Sequence, residues 1–139
     1  MNIISIMNPK VNTAFLHTYN TVRQGLEVIR HHGYTALPVL NEGDQYVGCI
    51  TEGDFLRCML DTGSMDLRDY EHIHVSDILR RDFCPALGIT ADLSQVVGSL
   101  LNQNFVPIVD GRNMLCGIIT RKSLISYLSD KLDAKAAEE

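Results

Sequence analysis

The sequence predicts an α/β (α+β) chain in which one supersecondary unit, read as helix, strand, turn, strand, helix, is written twice within a single compact domain. Three observations lead there. Ala36-Leu37-Pro38-Val39-Leu40 is answered by Phe105-Val106-Pro107-Ile108-Val109, and the glycines ten residues past each proline, Gly48 and Gly117, keep the same 69-residue offset. Each glycine is followed by an apolar pair and a threonine, ending at Thr51 and Thr120, and then by a helix-like stretch; self-similarity at one fixed offset marks a duplicated unit. The 139 residues, 45% hydrophobic and 21% charged, suffice for one buried core and lack the polarity of a disordered chain.

The elements follow in order. Val22, Leu26 and Ile29 recur at helical spacing, and Gly33 supplies a left-handed residue to end that helix. Leu37 to Leu40 and Tyr46 to Ile50 are short apolar strands around the turn residues Asn41-Glu42-Gly43-Asp44. The next helix carries Phe55, Leu56, Met59 and Leu60 on one side, and Asp61-Thr62-Gly63 stops it. In the second unit Asp92 or Thr90 caps a shorter helix through Leu93, Val97, Leu100 and Leu101, which trims the rim at Asn102 to Asn104. Strands at Val106 to Val109 and Met114 to Ile119 flank the Asp110-Gly111 turn, and Leu124, Ile125, Tyr127 and Leu128 mark the last helix. The expected divisions are a first repeat at 1–61, a polar, acidic linker at 62–74, a second repeat at 75–132 and a flexible tail at 133–139.

Composition removes several function classes. A formal charge of −5 opposes sequence-independent binding to a nucleic-acid polymer, which depends on Lys and Arg displacing counterions from phosphates. No apolar run is long enough to span a bilayer, and the start MNIISIMNPK lacks the basic, apolar and small-residue parts of an export signal. The expected location is cytoplasmic. Cys49, Cys58, Cys84 and Cys116 form no C-x-x-C pair and are read as reduced core residues. His31-His32 complements a helix C-terminus, and His72-x-His74 has no third ligand at a zinc spacing, so no metal is expected. Neither a nucleophile elbow nor a P-loop is present. No enzyme and no cofactor are expected.

The duplicated apolar-Pro-apolar strand and the Gly-apolar-apolar-Thr-x-x-Asp ending resemble the cystathionine-β-synthase-type (CBS) repeat family over about Ile3 to Leu132. The resemblance implies two β-α-β-β-α repeats about a pseudo-twofold axis, a homodimer, two clefts between the repeats for adenosine ligands, and a regulatory role toward an unidentified partner protein. Each cleft is then built from the leading segment of one repeat and the Thr-x-x-Asp helix of the other. Cleft one would combine Lys10, Val11, Thr13, Tyr34, Thr35, Ala36 and Pro38 with Thr120, Arg121, Lys122 and Ser123. Cleft two would combine Cys84-Pro85, Asn104, Phe105 and Val106 with Thr51, Glu52 and Asp54. A threonine that opens a helix presents its hydroxyl and free N–H groups to a phosphate, and Asp54, one turn inward, is placed to accept from ribose hydroxyls. The bland alternative is that Thr51 is an N-cap and Asp54 a first-turn acid. Ser123 stands where cleft one would have its ribose aspartate, while Lys10 and Arg121 offer it cations for phosphate. Lys10-Val11, Tyr34-Thr35-Ala36 and Thr120-Arg121-Lys122 are similar to small bacterial two-repeat proteins that bind cyclic di-AMP; AMP, ADP and ATP are the other expected ligands. The competing class is a ligand-free module for dimerisation and protein interaction.

Overall fold

A hairpin lies at the centre of each half of the protein, and the two hairpins are the same structure twice. The computed structural model describes residues 2–138. In chain order they form a 3-10 turn Ile3–Ile6, β1 (Asn8–Pro9), a 3-10 turn Lys10–Asn12, β2 (Leu16–His17), α1 (Val22–His32), β3 (Ala36–Leu40), β4 (Tyr46–Thr51) and α2 (Glu52–Thr62). A 3-10 turn Leu67–Tyr70 and α3 (Val75–Ile78) lead into β5 (Leu87–Gly88), α4 (Leu93–Leu100), β6 (Phe105–Val109), β7 (Leu115–Thr120) and α5 (Arg121–Glu138). Each repeat is therefore β-α-β-β-α, β2 to α2 and β5 to α5. In the first, β3 pairs antiparallel with β4, placing Pro38 opposite Cys49; in the second, β6 pairs with β7, placing Pro107 opposite Ile118. The 69-residue offset thus carries one register onto the other. The axis relating them passes by the hairpin turns, where Gln45 bridges its own counterpart Met114 and Tyr46 N–H donates to the Asn113 carbonyl at 2.9 Å.

Local chemistry sets the helix ends. Thr21 accepts from Gln24 N–H and receives Gln24 in return, a capping box; Gly33 closes the helix at φ 69°. Asp92, rather than Thr90, caps α4 with Gln95 as its reciprocal partner. The α4 helix has 8 residues against 11 in α1, the trimming expected at the second rim.

The leading segment of each repeat lies on the other repeat's sheet. β1 runs antiparallel to β7, giving the order β1-β7-β6-β5, and Ile3 and Ile6 enter the core of Val96, Leu100, Val106, Ile108, Ile119 and Leu124. Reciprocally, Arg80 bridges Cys49 of β4, beside the order β2-β3-β4, and Tyr70 and Val75 enter the core of Leu16, Val22, Leu37, Val39, Ile50 and Phe55. This crossing explains the duplicated glycine. A Cβ on Gly117 would stand 2.2 Å from the Asn8 carbonyl oxygen, and one on Gly48, at φ 154°, would stand 3.1 Å from that of Arg80. Only glycine lets the crossing backbone come so close.

Three expectations change. The 62–74 segment is polar along its length yet anchored: Tyr70 is fully buried, its hydroxyl donates to the Ser64 carbonyl, and Ile73 packs on the first core. On α2, Phe55 and Cys58 face inward with Met59 beside them, whereas Leu56 and Leu60 face outward, 57% and 71% exposed. The close approach of α1 sets that phase, since Gly25 leaves room for the Phe55 ring. Finally, α5 continues through Ala134 to Glu138, where an Ala-, Lys- and Glu-rich stretch sustains an exposed helix in place of the expected loose tail; Glu139 lies outside the described residues.

Candidate nucleotide clefts between the repeats

Two clefts open on either side of the pseudo-twofold axis, and Ala36, Asn104 and Phe105 line both. The first, about 190 Å³, is walled by Tyr34 to Pro38 on one side and by Asn8, Asn12 to Ala14, Ile118 and Thr120 on the other. β1 brings Asn8 there because Asn8 pairs with Ile118 across the repeats. Thr120 begins α5, its hydroxyl accepting from Ser123 N–H at 3.1 Å and sharing a 2.9 Å hydrogen bond with the Ser123 hydroxyl. Tyr34 is half exposed and stacks on His32 with ring centroids 5.4 Å apart.

The second cleft, about 90 Å³, is lined by Cys49, Phe83, Cys84 and Asn102 to Phe105 with Ala36. Its counterpart to Tyr34 is Gln103, which folds inward. The Gln103 amide donates to Cys84 Sγ, the Pro85 carbonyl and the Phe105 carbonyl, at 3.2, 3.2 and 3.1 Å.

Of the residues expected in cleft one, Thr13, Tyr34, Thr35, Ala36, Pro38 and Thr120 lie in its lining, joined by Phe105. The expected cations point elsewhere. Lys10 Nζ is 3.8 Å from Asp44 and 5.3 Å from the Phe15 ring centre, held by the carboxylate at the tip of the first hairpin. His17, hydrogen-bonded at 2.7 Å, and then Lys10 hold the Asp44 carboxyl below the usual range. Val11 is 90% exposed, and Lys122 lies on the outer face of α5. Arg121 Nε donates to the Leu100 carbonyl at 2.9 Å, satisfying the open end of the shortened α4. Ser123 faces a separate groove with Ser5, Asn8, Ser126, Tyr127 and Asp130.

Cleft two is corrected further. Phe105 lines it, but Val106 is fully buried in the second core. Thr51 is the N-cap of α2 and Asp54 its N3 partner, the bland geometry weighed above. The Asp54 side chain is 1% exposed. It accepts from Thr51 N–H and hydroxyl at 2.8 and 3.1 Å, from Arg80 Nε at 2.8 Å and from Arg57. Its groove, shared with Arg57, Cys58, Asp61, Asp77, Ile78 and Arg80, is distinct from cleft two. The repeat offset carries Asp54 and Arg57 onto Ser123 and Ser126, and the crossing register carries Arg80 onto Asn8. All three charges are replaced together by neutral groups, as expected of one charged unit. Arg80 also lies 3.9 Å above the Phe83 ring centre, tying that unit to the rim of cleft two.

The sequence reading did not pick out Asn8 or Phe83, although Thr13 and Cys84, on the same exchanged segments, were expected in the clefts. Applying the 69-residue offset to Ile118 would have pointed to Cys49.

The CBS domain family model matches residues 3–61 and 73–130. An uncharacterized protein of Methanocaldococcus jannaschii is 29% identical over 138 residues, covering 91% of this chain, which spans about half (48%) of that protein. Cyclic di-AMP receptor B of Bacillus subtilis is 24% identical over 116 residues, 84% of this chain and 78% of the receptor. Among solved structures, CbpB in complex with c-di-AMP superposes with a TM-score of 0.88 at 18% identity, covering 100% of this chain and 91% of that one. CBSX2 in complex with AMP gives 0.77 at 22%, covering 94% and 98%. With a match on both halves, an exchanged pair of β-α-β-β-α repeats and a cleft on each side of their axis, the chain belongs to the CBS-domain family.

Proposed function

We propose that this protein is a regulatory module that binds an adenine nucleotide in cleft one and transmits the bound state to a partner protein. The observation that carries the reading is the composition of that cleft. A strand wall, Tyr34-Thr35-Ala36-Leu37-Pro38, offers backbone and apolar surface for a purine, and Asn8, Asn12, Thr13 and Thr120 offer neutral hydrogen-bonding groups opposite. Thr120 stands at the N-terminus of an 18-residue helix, on the side a phosphate favours. Arg121 follows it, and exchange of the Leu100 carbonyl for a phosphate oxygen would bring its guanidinium to the ligand. Cyclic di-AMP, the ligand of the Bacillus relative and of CbpB, is the first candidate; AMP, the ligand of CBSX2, is the second.

The walls of cleft one come from both repeats, so a ligand spanning them selects one relative orientation, and that selection is the signal. The exposed Leu56 and Leu60 of α2 and Ile125, Leu128 and Leu132 of α5 supply apolar surface for a second copy of the chain, which supports a homodimer. The same surface favours the second reading, a dimerisation and interaction module whose clefts stay closed.

Titration calorimetry with cyclic di-AMP and AMP separates the two. Saturable binding that Arg121→Ala weakens by about 1.5–3 kcal/mol supports the nucleotide reading with a charge-assisted phosphate contact. Absence of heat with both nucleotides would leave the interaction module.

A further inference from the structure

Cleft two holds chemistry that nucleotide recognition does not use. Two of the four cysteines, Cys49 on β4 and Cys84 on the segment leading the second repeat, line it and share one buried cluster with Phe105. Among the described residues, Cys84 is one of three non-glycine residues at positive φ, 68°. Its loop is pinned by the Tyr46 hydroxyl, which donates to the Cys84 carbonyl, and its sulfur accepts from Gln103 Nε2 at 3.2 Å while the thiol faces the Phe105 carbonyl at 3.6 Å. We propose that Cys49 and Cys84 are a dithiol that hydrogen peroxide oxidises to a disulfide across cleft two.

The order of attack follows from the surroundings. The Gln103 amide donates to the Cys84 sulfur at 3.2 Å and favours a thiolate there. Contact with the Cys49 thiol, and then this bond, hold the Cys84 thiol below its usual range against the opposing effect of burial, and the same contact with burial pushes Cys49 up. Burial raises Cys58 and Cys116 as well. Cys84 is the attacking sulfur. Its thiolate forms a bond to one oxygen of the peroxide, the O–O bond breaks, and the departing hydroxide takes up a proton as water, leaving a sulfenic acid. Cys49 sulfur then attacks Cys84 sulfur, the S–O bond breaks, and the hydroxyl leaves with the Cys49 proton as a second water. Two thiols and one peroxide give one disulfide and two waters. The cavity, about 90 Å³, has room for a peroxide molecule beside the two sulfurs. The new bond would tie β4 of the first repeat to the leader of the second.

The test uses the full-length reduced protein and a small excess of hydrogen peroxide, with thiols counted after denaturation and peptides mapped by mass spectrometry. The expected result is loss of two thiols, a dithiothreitol-reversible cross-link between the Cys49 and Cys84 peptides, and peroxide consumption roughly tenfold slower in Cys84→Ser. Cys49→Ser, which leaves the attacking sulfur in place, should accumulate a sulfenic acid at Cys84 that dimedone traps. Retention of all four thiols, a cross-link through Cys58 or Cys116, or dimedone labelling elsewhere in Cys49→Ser would overturn the assignment. Circular dichroism of both variants establishes that they are folded, and the experiment is independent of nucleotide binding.

Discussion

Replacing Asp54 by asparagine separates two roles that its carboxylate could have, ribose acceptor or internal strut. With the side chain 1% exposed and four donors on its two oxygens, the amide would keep one oxygen and turn an NH2 toward either the two guanidiniums or the Thr51 N–H, none of which can accept. Removing one partner of a buried charge pair costs about 3–5 kcal/mol. Here the arginine partners are themselves 59% and 45% exposed at the side chain and regain water when released, so the low end, about 3 kcal/mol, applies. For 139 residues that lowers Tm by roughly 10 °C. Urea unfolding should show a lower midpoint at unchanged slope. Arg80→Met in the Asp54→Asn background should cost much less than in the native protein, because the pair is already broken. A ribose role predicts the reverse pattern, with stability within about 0.5 kcal/mol of native and AMP affinity sharply reduced. That outcome would refute the strut.

Two further perturbations probe the frame. Gly117→Ala places a methyl 2.2 Å from a backbone oxygen and should destabilise by about 3 kcal/mol or more, whereas Gly111→Ala, with nothing within 4 Å, should stay within about 0.5 kcal/mol; paired chemical denaturation curves compare them. Asp44 titrates below its unfolded value because of His17 and then Lys10, so its stabilisation is full above the unfolded carboxylate pKa and is lost as pH falls through the lowered folded one. In Asp44→Asn the fall of stability below about pH 4 should become shallower, as read from midpoints across an acid pH series.

The duplication was legible because it is written in local terms. Apolar-Pro-apolar strands, turn residues, N-cap threonine and aspartate, and glycines at one offset each answer to short-range chemistry, and all recur in the structure. The strand wall of cleft one, Tyr34 to Pro38, was legible for the same reason. Lys10 and Arg121 were not, because a long flexible cation takes whatever acceptor the fold brings near: Asp44 at a hairpin tip, or the carbonyl of Leu100 at the end of a shortened helix. The orientation of Asp54 depends on Arg80, 26 positions away on an exchanged segment. Nothing in the local spacing of Thr51 and Asp54 distinguishes a ligand-facing carboxylate from one turned inward.

The exchange of leaders also decides what can fold alone. Every residue of the first core, from Ala14 to Leu79, lies within one stretch that begins after β1 and ends beyond α3, whereas a cut at the apparent end of the first repeat, 1–61, discards Tyr70 and Val75, both 0% exposed. Burying side chains of this kind contributes about 1.5–3 kcal/mol each, so their loss removes roughly 4 kcal/mol from a domain whose total stability is about 5–15 kcal/mol. The same cut keeps Ile3 and Ile6, whose core belongs to the other repeat, and leaves them nowhere to go. A fragment of residues 14–81 should therefore unfold more cooperatively and at higher urea than 1–61, even though 1–61 lacks only Thr62 of the β2 to α2 unit. The comparison needs only circular dichroism and urea titration of the two fragments at equal concentration. Equal midpoints would mean that the leader is an accessory to a self-sufficient repeat, and the crossing at Gly48 and Gly117 would lose its structural rationale.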